Sequence, residues 1–171
     1  MPLYPIPYTL YLYTRTVTYF LLLFPAFALL GFFPSPSSAE QNNFKTYSIE
    51  DGLSQSTVFA IIQDARGYLW LGTDGGGVCR FDGKVFETYD KKKGLNGNIV
   101  RALMEDSRGN IWIGTDGGIT IYNGRSFKSF NRNNGLPQGT VMCFLEDDAN
   151  YVWAGTACGG LAKIKRANQD Y

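Results

Sequence analysis

Beyond residue 57 the apolar positions fall in short runs, β-branched or aromatic, broken by turn residues. Val58-Phe59-Ala60-Ile61-Ile62 stops at Asp64-Ala65-Arg66-Gly67, and Tyr68-Leu69-Trp70-Leu71 resumes. A glycine turn then leads to Val78-Cys79-Arg80-Phe81, the pair Asp82-Gly83 and Val85-Phe86-Glu87-Thr88-Tyr89. This predicts four antiparallel strands joined by hairpins, with Asp82-Gly83 and Asn123-Gly124 as two-residue turn signals. No window carries a capped apolar stripe at helical spacing, which excludes helical repeats.

The pattern recurs. Trp70, Trp112 and Trp153 are 42 and 41 residues apart, and Asp64, Asp106 and Asp147 keep the same step. So do Gly52-Leu53, Gly94-Leu95 and Gly135-Leu136, and the pairs that open on Gly72, Gly114 and Gly155, each followed by threonine. Four strands in a repeat of about 40 residues make a propeller blade. The expected fold is all-β, an incomplete β-propeller ring. Blade 1 covers 57–89, blade 2 covers 98–130 and a partial blade 3 covers 140–164, with 44–48 as an outer strand ahead of them. The tryptophans are read as core between sheets. The aspartates are read as closing turns through side-chain-to-backbone bonds, because a residue repeated in every blade serves the blade. Gly67 and Gly109 give way to Asn150 in the third repeat, the exchange expected where φ is positive.

The first 39 residues are a different polymer. They hold one of the 16 basic residues (Arg15), none of the 15 acids and six of the seven prolines. Val17 to Phe33 is apolar apart from Thr18, and Pro34-Ser35-Pro36-Ser37-Ser38-Ala39 follows. That order is an h-region ending in a small-residue cleavage site, so residues 1–39 are read as a signal peptide cut after Ala39, with an uncleaved anchor as the alternative. Either way residues 40–171 are exported and only the N-terminal segment meets a membrane. Cys79, Cys143 and Cys158 are an odd number, read as small apolar fillers with no disulfide assigned.

The chain has no histidine. That excludes Ser-His-Asp and Cys-His catalysis, His-ligated zinc and a histidine phosphoacceptor within these residues. No cofactor, metal site or nucleic-acid contact is expected. Strand alternation puts the Gly-Leu loops (52–56, 94–98, 135–139) and the glycine turns on one rim, and the aspartate turns on the other. On the first rim the variable slots are the candidates for ligand contact. They are Gln55 and Gln138 opposite Gly97, Asn96, and the pair Asp74 and Asp116. Arg101, equivalent to Phe59 and Met142 near the axis, is the charged member of its set, either paired with a neighbouring acid or touching a ligand.

The run Glu105-Asp106-Ser107-Arg108-Gly109-Asn110-Ile111-Trp112-Ile113-Gly114-Thr115-Asp116-Gly117-Gly118 resembles the two-component regulator propeller repeat of exported sensor regions in bacterial hybrid histidine kinases. The resemblance spans Phe44 to about Ile164, with departures at Asn150, Ala154 and Ala157-Cys158. It implies a periplasmic, noncatalytic sensor of oligosaccharides or polysaccharides that signals as a homodimer, with kinase output elsewhere in a longer parent. On that reading the chain is an N-terminal piece; the alternative is two chains closing a six-bladed ring. The Asp-x-x-Gly-x-x-Trp element is also similar to the Asp-box of sialidase-like glycoside hydrolases, and a purely structural or adhesive propeller is the third reading.

Overall fold

A computed structural model describes residues 43–166. The expected signal or anchor segment and the expected cleavage after Ala39 lie outside the described residues. The chain divides into two units, 1–44 and 45–171, and the second carries the fold.

Three antiparallel sheets follow one another along the chain. The first runs β1 (Val58–Gln63), β2 (Leu69–Thr73), β3 (Val78–Phe81) and β4 (Phe86–Tyr89), each strand beside the next. The second repeats that order with β5 (Val100–Glu105), β6 (Ile111–Thr115), β7 (Gly118–Tyr122) and β8 (Phe127–Phe130). The third has three strands among the described residues, β9 (Val141–Glu146), β10 (Tyr151–Thr156) and β11 (Gly160–Lys165). The edge strands β1, β5 and β9 pack side by side, so the sheets fan out from a shared axis. These are blades of a β-propeller, as the repeat predicted.

The two joints between blades share most of their positions. Trp70, Val78 and Tyr89 of the first sheet meet Val100, Ile111, Ile113 and Tyr122 of the second. Trp112, Ile119 and Ile121 of the second meet Val141, Val152 and Ala154 of the third. The buried leucines of the Gly-Leu loops, Leu95 and Leu136, plug these two joints. Glycine is needed on β2 and β6 for a steric reason. A Cβ on Gly72 would stand 2.7 Å from Val100 Cγ1, and one on Gly114 would stand 2.8 Å from Val141 Cγ1. The next blade's valine occupies the space a side chain would fill.

Where no further sheet follows among the described residues, the equivalent positions open to solvent. Val58, the counterpart of Val100 and Val141, is 39% exposed, whereas those two are fully buried. Leu145 and Leu161 on the far side of the third sheet are more than 60% exposed. They line an open apolar hollow of about 380 Å³ with Cys143, Trp153 and Gly155. The cysteine expectation is corrected here: Cys79 is a buried filler, but Cys143 and Cys158 are exposed.

The segment 44–48 is also corrected, since it forms no strand. A strand requires a ladder partner, and among the described residues no third strand of a preceding blade lies beside it. Its packing nevertheless copies an outer strand. Tyr47 meets Phe81 and Phe86 at ring-centroid distances of 5.1 and 5.7 Å, as Tyr89 meets Phe127 and Tyr122 at 5.3 and 5.8 Å. The exit is also the same: short 3-10 turns at Ile49–Asp51, Lys91–Lys93 and Arg132–Asn134, capped by Ser48, Asp90 and Asn131.

Candidate functional site

The repeated aspartates are fully occupied. The Trp70 indole N–H donates to Asp64 Oδ2 at 2.9 Å, and the amides of Arg66 and Tyr68 donate to Oδ1 at 3.0 Å each. Asp106 takes the same bonds from Trp112, Arg108 and Asn110, and Asp147 from Trp153, Ala149 and Tyr151. Burial pushes the Asp64 and Asp106 carboxyls up, but the tryptophan N–H and the turn amides outweigh it and hold both below the usual carboxylate range. Such acids hold turns and have no proton to give at neutral pH. The turn backbone agrees: Asn150 has φ +63° where Gly67 and Gly109 have +90° and +80°.

On this aspartate rim the structure adds contacts between blades that sequence reasoning missed. Glu105 Oε2 accepts from the Ala65 amide at 2.8 Å, and Glu146 Oε2 accepts from the Ser107 amide at 2.7 Å. Just past the last strand stands Arg166, a buried guanidinium. It donates to Glu146 at 2.6 Å and to Asn150 Oδ1 at 2.7 Å, and lies 3.4 Å from Asp106. In the first blade the slot of Glu105 and Glu146 holds Gln63, which turns its Nε2 to Gly67 O instead. The 41-residue step from Glu105 to Glu146 is the signal that could have found the staple.

The opposite rim gathers the Gly-Leu loops and glycine turns, as expected. Gly75 and Gly77 donate to the Asn98 carbonyl at 3.2 and 2.8 Å, and Asp74 pairs with Ile99 in an isolated bridge. Thr73, Thr115 and Thr156 lock the glycine turns by donating to Gly77, Gly118 and Gly160 carbonyls. Among the candidate ligand residues, Asn96 is tied to the framework, its Nδ2 donating to Ile119 O and Phe130 O at 2.9 and 2.7 Å. Gln55 Oε1 accepts from the amide of Ser56 at 2.7 Å. Asp116 Oδ1 accepts from the Ile99 amide at 3.3 Å, whereas Asp74 and Gln138 are exposed.

Arg101 is not paired with an acid among the described residues. Its guanidinium lies over the Phe59 ring, 3.8 Å from the centroid. The register explains the meeting. Each inner strand is shifted at one place: Val58 pairs with Thr73 but Ala60 with Gly72, and Val100 pairs with Thr115 but Ala102 with Gly114. In the third sheet Val141 pairs with Thr156 and Cys143 with Gly155. The extra residues are Phe59, Arg101 and Met142. A bulge takes its residue out of the ladder and re-aims the side chain. Three bulges in register therefore present one side chain per blade beside the axis, and Phe59 and Met142 stay 38% and 46% exposed.

The repeated aspartates serve the turns, and the variable residues collect at one end of the axis. Residues 52–75, 94–117 and 135–157 each match the two component regulator propeller family. The structure is similar to the extracellular domain assigned to the hybrid two component system BT3049 of B. thetaiotaomicron. The identity is 26% and the TM-score 0.63, over 71% of this chain and 17% of that one. A second such extracellular domain, BT4673 of the same organism, is 22% identical with a TM-score of 0.52, over 75% of this chain and 17% of that one. This chain thus spans about a sixth of the length of either. No curated protein sequence matches it significantly. Among the described residues no helix is long and apolar enough to cross a membrane.

Proposed function

We infer that this chain is a ligand-sensing part of the exported region of a hybrid two-component system, binding an oligosaccharide without transforming it. The carrying observation is the succession of three two component regulator propeller repeats, in a chain similar to extracellular domains of such systems. The occupied Asp64, Asp106 and Asp147 carboxylates favour this over the hydrolase reading, since each accepts from an indole and two turn amides. Binding at the axial end, at the rim of Asp74, Asp116 and Gln138, would bias a larger homodimeric receptor whose kinase output lies elsewhere. The periplasm is its place of action, and the N-terminal segment supplies export.

A panel of oligosaccharides tested on the full chain by thermal shift and product analysis checks this. Saturable stabilisation without product formation is expected. Turnover of a glycoside overturns the sensor reading, and silence across the panel favours a structural propeller.

A further inference from the structure

The Arg101 guanidinium carbon lies over the Phe59 ring, 3.8 Å from its centroid, and a cation seated on a ring face keeps its N–H groups for other partners. Those donors have no acceptor among the described residues: no carboxylate lies within ion-pair distance and no carbonyl takes a bond from them. The two residues belong to neighbouring blades and meet because their strands bulge at the same position. An arginine seated over an aromatic ring has surrendered much of its rotamer freedom, so less is lost when it closes on a ligand. A planar fork of fixed N–H groups fits a carboxylate or a sulfate ester, each of which it can bind through two parallel bonds.

The surroundings narrow the ligand further. Asp74 and Asp116 stand on the same rim, and Asp116 is held there by the Ile99 amide. Carboxylates accept hydroxyl hydrogens and repel a densely charged polyanion. The exposed Phe59 and Met142 add apolar surface on either side of Arg101 in the bulge row. Aromatic surface suits the C–H face of a pyranose, while the acids suit its hydroxyls.

We propose that Phe59, Arg101 and Met142 form a binding strip for a saccharide bearing an isolated anionic group, a uronate carboxylate or a sulfate ester, which Arg101 grips through its free N–H edge. This rests on the sensing role above and adds the ligand's charge class and its anchor.

The test is calorimetric titration of the full chain with three trisaccharides that differ at one terminal sugar: glucuronate, glucose 6-sulfate and neutral glucose. Whichever anionic form binds, Arg101→Met should weaken it by about 10- to 100-fold, the worth of a charge-assisted hydrogen bond. Arg101→Lys should retain part of the affinity, and wild-type binding should fall as salt is raised. Unchanged tryptophan fluorescence in both variants keeps a folding defect apart from a binding defect, and the salt dependence needs no variant at all. The glucuronate and sulfate arms identify the source of the charge. Equal binding of all three sugars, or indifference to Arg101→Met, overturns the anionic site while leaving the sensing role standing. Binding of none overturns both.

Discussion

Glu146 accepts the backbone N–H of Ser107 across the joint between blades 2 and 3, as Glu105 accepts that of Ala65 across the joint before it. Each acid ends an inner strand and closes the aspartate turn of the preceding blade. Glu146 also receives Arg166, which is buried from the other side. Replacing Glu146 with alanine leaves an amide and a buried guanidinium short of an acceptor. A loss of about 1–3 kcal/mol is expected, read as a lower urea midpoint for the full chain. A midpoint equal to wild type would show that the staple contributes nothing.

Gly114 and Gly155 occupy equivalent positions, but only Gly114 is covered by a following blade. In Gly114→Ala the new methyl meets Val141 Cγ1 at 2.8 Å and Ala102 Cβ at 3.0 Å, inside a packed joint. In Gly155→Ala it meets the Cys143 Sγ, at the side of the open hollow. The first variant should lose about 1–3 kcal/mol by overpacking and the second clearly less, in parallel chemical unfolding. Equal losses would mean that the joint does not set the cost.

The depressed carboxyls at Asp64, Asp106 and Asp147 give a signed pH dependence. Burial works against all three, most strongly in the first two, and the net direction is down throughout. A folded pKa below the unfolded one means the unfolded chain binds more protons in that window. The stabilisation is therefore complete above the usual carboxylate range, roughly pH 4, and is lost as pH falls through the lower folded values. Tryptophan fluorescence followed from neutral pH downward should report acid unfolding below that range, with a shallower pH dependence in Asp106→Asn. Rising stability on acidification would contradict the assignment.

Blade 2 has a neighbour on each face, and every residue of β6 and β7 is buried. Among the described residues, blades 1 and 3 each have one face open. Stability in a repeat array is close to a sum of unit and nearest-neighbour terms, so opening should begin at the ends. Amide exchange on the full chain should be slowest in β6 and β7 and faster in β10 and β11. A uniform rate across the three sheets would indicate one cooperative unit instead.

Much of this was legible because each repeated residue answers a local demand. Trp112 and Asp106 are six residues apart, the span of one hairpin, and Asn150 betrays a positive φ in one letter. Gly-Leu and Gly-Thr likewise act within a turn of their own position. Arg166 was not legible, since its partners Asp106, Glu146 and Asn150 come from two blades. The meeting of Arg101 with Phe59 depends on a one-residue slip in two ladders, which composition does not encode. The segment 44–48 resembled β4 and β8 closely, yet a strand exists only with a partner to pair with, and sequence likeness cannot supply one.

The two joints are copies. Val100 sits over Gly72 and Val141 over Gly114, while Glu105 and Glu146 clasp the turns at the opposite rim. A valine seated at one end of the sheet and a carboxylate latched at the other leave little freedom in the angle between neighbouring blades. Curvature is therefore written into every junction separately, and the size of any ring to which these blades belong is a local property. A substitution at one glycine or one glutamate would alter that angle and misalign blades far from itself.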